Sequence, residues 1–273
     1  VILLAVVGLL GGVLGAMVGL GGGVFIIPVL SLFLDVPIHA AISASLLAVV
    51  ATSTTGSIGY MREGLTNFRL GLTMETALTL GALSGGLVGA VLSRGVLSAI
   101  FGVVMMAAAV YMGLGRRSAP EIPEEGDSLG VLGARYHDAH QGIDIRYRVR
   151  RLPLGMFLGY VAGNVSGLLG VGGGFMTVPS MRLLMAVPMR AAVGTSSMML
   201  GATGCAGAAV YFARGLVDPG VAVPVVLGVA VGAFVGSRVA VRIKSSILVT
   251  VLAVVLFFLS VQMILAAAGI TLR

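Results

Sequence analysis

Apolar residues fill long uninterrupted stretches of this chain. Residues 39–61, 70–92, 95–115, 220–237 and 246–270 each carry at most one formal charge. Each reaches the roughly 18 residues that a helix needs to cross a hydrocarbon core about 30 Å thick. The pattern predicts long helices with no alternating polar face, which suits lipid better than water. Two of the most apolar regions are nevertheless broken by glycine. They read "GLGGGVFIIPVL", Gly19 to Leu30, and "GVGGGFMTVPSM", Gly170 to Met181.

The two breaks belong to a longer repeat. At a constant offset of 151 residues, 19 of the 58 positions from Gly8 to Leu65 are identical without a gap. Gly12 falls on Gly163, Gly21 to Gly23 on Gly172 to Gly174, and Pro28 on Pro179. Pro37, Ser45, Thr52 and Tyr60 fall on Pro188, Ser196, Thr203 and Tyr211. A shared apolar bias would scatter matches among Leu, Val and Ala; aligned Gly, Pro and Thr point to a structural repeat. Five segments are expected per half. They are 1–18, 24–34, 39–61, 70–92 and 95–115, then 152–169, 175–187, 190–213, 220–242 and 246–270. The second of each set is too short to span alone and reads as a half-helix. The expected fold is therefore an all-α polytopic membrane protein of two repeats, with eight full spans or ten counting the broken pieces. Residues 1–115 form repeat one, 116–151 a polar linker and 152–273 repeat two.

Composition agrees with this picture, and charge orients it. Hydrophobic residues make up 58% of the chain and charged residues only 10%, against about 25% charged in soluble domains. The net charge of +7 is placed just outside apolar runs, the signature of membrane topology rather than of nucleic-acid binding. The linker opens with "RR" and closes with "RYRVRR", so it is expected in the cytoplasm of a multi-pass cell (inner/plasma) membrane protein. Arg62, Arg69, Arg182, Arg190, Arg238, Arg242 and Lys244 then fall inside, with Arg94, Arg214, Asp218 and both termini outside. Matched loops change side, so the repeats are expected to be inverted. Residues 1–18 lack a basic leader and run straight into the first break, so they are not read as a cleaved signal; a few residues are expected to precede Val1. The single Cys205 excludes a disulfide framework.

Non-helical backbone at membrane depth survives only where protein buries it or where it lines a wet cavity. Inverted repeats with discontinuous helices point to a transporter site near the midplane. A helix starting after a glycine turn presents unpaired N–H groups and the positive end of its dipole, which suit an anion. Close helix packing through small residues is the bland alternative. The expected anion contacts are Gly21, Gly22, Gly23 and Val24 in repeat one, and Gly172, Gly173, Gly174 and Phe175 in repeat two. Hydroxyls of Ser43, Ser45, Thr52, Thr195, Ser196 and Thr203 join them, although Ser and Thr also bond to their own helix carbonyls. Asn164 is either an anion contact or helix–helix glue. Glu75 is either a carrier of a coupling proton or a solvated interfacial group near Arg69, and Arg182 either draws anions or snorkels to headgroups. His137, Asp138 and His140 are too few for a metal site, and "IDIRYRV" alternates as a small hairpin would. No cofactor motif and no catalytic constellation is expected.

"AGNVSGLLGVGGGFMTVPSMRLLMAVPMRAAVGTSS", Ala162 to Ser197, resembles the second-repeat signature of the TauE/SafE family of sulfite and organosulfonate permeases. "GAMVGLGGGVFIIPVLSLFLDVPIHAAISAS", Gly15 to Ser45, resembles its first-repeat counterpart, and the likeness covers essentially the whole chain. The resemblance implies a non-enzymatic secondary permease for a small sulfur-containing anion such as sulfite, sulfoacetate or another organosulfonate. One departure stands out: "AISAS" (Ala41 to Ser45) occupies the place of "AVGTS" (Ala192 to Ser196). The two half-sites are therefore not chemically equal. An anion channel or a permease for another small anion is the alternative. A cation permease or a membrane enzyme would want several buried acids, and Glu75 alone is arguable. A homodimer packed through glycine faces is compatible with the sequence, which offers nothing further for it.

Overall fold

The computed structural model describes residues 1–18, 21–114, 130–138, 143–240 and 245–267. Ten α-helices follow one another among these residues. They are α1 (Ile2–Val18), α2 (Gly23–Pro28), α3 (Ile38–Arg62), α4 (Phe68–Gly89) and α5 (Arg94–Leu114), then α6 (Leu152–Leu169), α7 (Gly174–Leu183), α8 (Met189–Ala213), α9 (Pro219–Ala240) and α10 (Ser245–Ala267). α2 runs on into a π-helical turn, Val29–Phe33. Between α5 and α6 lies a two-stranded antiparallel hairpin, β1 (Ala134–Asp138) and β2 (Ile143–Tyr147), with Tyr136 opposite Ile145. The acidic run at 121–127, His140, Arg242 and Lys244 lie outside the described residues.

Three helices, Ile38–Arg62, Leu152–Leu169 and Pro219–Arg238, are long and apolar enough to cross a membrane among the described residues. α4 and α8 have the length, at 22 and 25 residues, but Gly, Ser and Thr dilute them. Those small residues turn inward. α4 buries Leu70, Gly71, Met74, Leu78, Gly81, Ala82, Gly85, Gly86 and Gly89, while Leu72, Leu80, Leu83, Leu87 and Val88 are exposed. From Gly81 onward the buried residues are all Gly or Ala while Leu83, Leu87 and Val88 face out, the distribution expected of helices that pack in lipid.

Helix starts repeat along the chain. α2 begins at Gly23 and α7 at Gly174, α3 at Ile38 and α8 at Met189, α4 at Phe68 and α9 at Pro219, and α5 at Arg94 and α10 at Ser245. Each pair is 151 residues apart, the offset of the sequence repeat. Packing crosses between the halves. α4 lies on α6, and α1 on α9. Glycines bring these backbones together: a Cβ on Gly163 would collide with the Leu78 carbonyl, one on Gly167 with that of Ala82, and one on Gly85 with that of Asn164. At the α1–α9 seam, Gly8, Gly228 and Gly232 would collide with the carbonyls of Val225, Ala5 and Leu9. α3 crosses α8 in the middle, and α5 pairs with α10.

The hairpin defines one end of the bundle. Tyr136, Ile145 and Tyr147 are buried against Leu65, Leu70 and Met74, against Met181 and Met185 of the α7 region, and against Ala191. The Arg150 N–H donates to Met185 O at 3.1 Å. The α3–α4 and α7–α8 loops, with Arg62, Arg69, Arg182 and Arg190 beside them, therefore share the linker end. At the other end His39 Nε2 meets Leu92 O at 3.1 Å, and Ser43 Oγ donates to Leu216 O at 3.1 Å. α3 thus runs toward the hairpin and α8 away from it.

Candidate functional site at the glycine breaks

α1 ends at Val18 and α6 at Leu169, where Gly170 caps the helix in the left-handed region (φ 71°) and donates its N–H to Ser166 O at 2.7 Å. The short helices begin at Gly23 and Gly174, one residue before the expected starts at Val24 and Phe175. In each, the residue before the helix offers its carbonyl to the first turn: Gly22 O accepts from Phe25 and Ile26, and Gly173 O from Met176 and Thr177. Gly21 and Gly172 have φ of 81° and 73°, a region costing an L-residue roughly 1–2 kcal/mol.

The breaks meet in the interior. A Cβ on Gly21 would lie 3.0 Å from Val49 Cγ2 and 3.4 Å from Leu200 Cδ1. One on Gly172 would lie 2.9 Å from Val49 Cγ1 and 3.3 Å from Leu200 Cδ2. Val49 and Leu200 are themselves matched positions, on the crossing helices α3 and α8. One aliphatic pair therefore stands between the two breaks, and both breaks lean on it.

The expected hydroxyls divide into three groups. Some bind the breaks: Ser45 Oγ donates to Gly170 O at 2.7 Å, and Thr52 Oγ1 to Gly21 O at 3.4 Å and Ala48 O at 3.0 Å. Ser196 Oγ meets Thr177 Oγ1 at 3.0 Å, and Thr177 in turn donates to Gly173 O at 3.1 Å. Others tie the ends. Ser43 holds Leu216 O as described, and Thr195 Oγ1 accepts the Asn67 N–H at 3.0 Å. Thr203 alone joins a charged group: it donates at 2.8 Å to Glu75 Oε1, which also accepts from Thr79 Oγ1 at 2.9 Å. Glu75 Oε2 is buried and has no hydrogen-bond partner. Glu75 thus sits inside the α4–α8 contact. Asn164 Nδ2 donates to Ser84 Oγ at 2.9 Å, joining α6 to α4 as helix–helix glue does. Arg182 is half-buried on the last turn of α7.

Two residues outside the expected set matter. Asn67 is a hub: its Oδ1 caps α4 by accepting from Leu70 N at 3.1 Å, and its Nδ2 donates to Leu132 O at 2.8 Å and to Tyr147 Oη at 3.2 Å. Burial pushes the Tyr147 hydroxyl pKa up, against a smaller opposing effect of the Asn67 bond, so Tyr147 stays neutral and bound. Asn67→Ala is expected to lower stability by about 1–2 kcal/mol through the lost cap and ties. Faster protease cleavage within 130–150 would report the freed hairpin. Asn67 matches Asp218, itself a short polar residue before a helix, and that pairing was the available signal. The second residue is Ser166, buried to 0% exposure, whose Oγ has no hydrogen-bond partner.

Comparison with known proteins bears on this architecture. The family model for the sulfite exporter TauE/SafE matches residues 4–263. The probable membrane transporter protein YunE of Bacillus subtilis is 28% identical over 234 residues, 83% of this chain and 84% of the relative. A probable membrane transporter protein of Xylella fastidiosa is 28% identical over 222 residues (81% and 77%), and MJ0441 of Methanocaldococcus jannaschii, another probable membrane transporter protein, is 26% identical over 215 residues (77% and 71%). No solved structure matches the chain. With the family match running through both glycine breaks and every described helix, the chain belongs to the TauE/SafE sulfite exporter family of membrane proteins.

Proposed function

We propose that this protein is a secondary transporter moving a small sulfur-containing anion, such as sulfite, sulfoacetate or another organosulfonate, across the cell membrane by alternating access. The observation that carries the reading is the meeting of two matched glycine breaks, Gly21–Val24 and Gly172–Phe175, across the Val49–Leu200 pair in the bundle interior. Helix starts buried there offer backbone donors to an anion without a cationic side chain. The sequence halves are two inverted repeats, a reading supported by the common offset of helix starts and by the opposite directions of α3 and α8. The linker end is cytoplasmic, in keeping with its arginines. α1 with α9 and α4 with α6 are packed too closely to slide, so each pair moves as one body.

Coupling falls to Glu75. Its carboxyl joins α4 to α8, with two hydroxyls on one oxygen and the other oxygen available for a proton. Loading and releasing that proton would loosen and tighten the contact that the breaks depend on.

Counterflow in proteoliposomes tests the reading, with sulfite, sulfoacetate, taurine and thiosulfate set against sulfate and chloride. One sulfur anion is expected to exchange saturably against a trapped pool, and Gly173→Val to abolish that exchange while the protein stays folded. Conduction without counterflow would identify a channel instead. Normal exchange by the valine variant would reduce the breaks to packing elements.

A further inference from the structure

One end of the bundle carries a cover that the other end lacks. α3 and α8 run in opposite directions, so the loops that follow them are matched in sequence and lie at opposite ends. At the linker end Leu65, Asn67 and Leu70 are 6%, 5% and 0% exposed. Their counterparts Leu216 and Val221 are half-buried, and Asp218 is exposed. The hairpin accounts for the difference. Tyr136, Ile145 and Tyr147 are buried in the cluster around Leu65 and Leu70, while Arg135, Asp144 and Arg146, at the alternate positions, are exposed. Among the described residues no strand covers the opposite end.

The hairpin also holds both halves at once. It grips the first through Asn67, whose Nδ2 donates to Leu132 O, just ahead of β1, and to Tyr147 Oη at the end of β2. It grips the second through the Arg150 N–H on Met185 O, just past α7. Met181, Val187 and Ala191 complete its apolar seat. Beneath it lies the linker-side end of the α4–α8 contact. There a Cβ on Gly71 would run into Met198 Cε and Thr195 Cγ2, and the Asn67 N–H reaches Thr195 Oγ1 at 3.0 Å. Glu75 lies one turn further along α4, bound to Thr203 of α8.

We infer that the linker hairpin is a strap that closes this end of the bundle over the Glu75 contact. While seated, it joins the α3–α4 loop to the α7–α8 loop and keeps water from the α4–α8 contact. Opening this end requires it to lift from Asn67 and Met185. The inference rests on the transporter reading, to which it adds a gate that one end alone possesses. Three large side chains and a few hydrogen bonds hold the strap, whereas α4 and α6 meet backbone to backbone. A small unit held by few contacts opens at lower cost than a packed helix pair, so the strap is the contact that yields.

The test follows thiol access in the purified full-length protein, with Cys205→Ser removing the native thiol. Leu70→Cys places a probe beneath the hairpin, and Val221→Cys places its match at the uncovered end. Each is reacted with a charged, water-soluble maleimide. Tyr147→Phe keeps the ring and removes the hydroxyl held by Asn67. In that background Leu70→Cys is expected to react about fivefold faster, the effect of one ordinary hydrogen bond. Asn67→Ser keeps a capping oxygen but is too short for both ties, and should raise the rate about tenfold or more. Val221→Cys should react at one rate in all three backgrounds, which reports that the bundle stays folded. Counterflow in proteoliposomes is expected to be at least as fast in both variants as in wild type. Unchanged reaction of Leu70→Cys in both backgrounds overturns the strap and leaves the transporter reading standing. Faster reaction with exchange lost also overturns it, because the hairpin is then a prop that transport needs seated. If wild type exchanges no anion, the transporter reading falls and the gate falls with it.

Discussion

Leucine at position 163 is expected to leave no folded protein. Gly163 faces the backbone of α4, where even a Cβ would collide with the Leu78 carbonyl oxygen. A Cβ on the neighbouring Gly159 or Gly167 would likewise run into Leu78 or Ala82, so the seam is tight over several turns and α6 cannot back away at one point without opening it. Leucine is a good helix former, so helix propensity is not the cause of the loss. A forced separation of two close-packed helices removes contacts along several turns, and destabilisation beyond about 4–5 kcal/mol is expected, enough to unfold most domains. Gly59→Ala provides the contrast, since nothing lies within 4 Å of the added Cβ. There the helix should gain up to about 1 kcal/mol. Yield of monodisperse protein in detergent and its unfolding temperature read both results. A stable Gly163→Leu protein would mean that α4 and α6 do not pack through this face.

Glu75→Gln should separate coupling from translocation. Glutamine keeps the size of glutamate and can still accept from Thr203 and Thr79, so the α4–α8 contact survives. It cannot bind or release a proton. Exchange of labelled for unlabelled anion across a membrane without a gradient is therefore expected to continue near the wild-type rate. Accumulation driven by an imposed pH gradient is expected to fall to the level of protein-free liposomes. Thr203→Val removes one hydroxyl from the carboxyl and should shift the pH dependence of uptake without silencing exchange. Gradient-driven accumulation by Glu75→Gln at the wild-type level would exclude Glu75 as the coupling group.

Much of this architecture was legible in the chain. The apolar runs placed helix starts within a residue or two, because the limits of such runs are set by Pro37, Pro188 and the glycine turns, which act locally. The breaks showed because glycine and proline matched at one offset. Partners were harder. Glycine spacing marks a face that admits a backbone, but nothing in Gly163 or Gly228 says that α4 or α1 is what arrives. The hydroxyls illustrate the same limit. A sequence shows donors and not the carbonyls that occupy them, so Ser43 and Thr195 read like anion contacts while they tie the ends of the bundle. Ser166 is marked in the sequence only by a difference, a hydroxyl where the other half has Gly15. Asn67 carries no apolar signal because its work lies outside the apolar runs, in caps and in the grip on Tyr147.

The seam between α1 and α9 also sets the order of events at the ribosome. Residues 2–18 leave well before the helix that fills their glycine face, residues 219–240. At about 5–20 residues per second, that helix follows on the order of 10–40 s later. Throughout this interval α1 lies in the bilayer with its small-residue groove open to lipid or to other proteins. α6 has no such delay, because α4 has already been made. α1 is thus separated from its partner by more of the chain than α5 is from α10 or α6 from α4, and its groove stays open the longest.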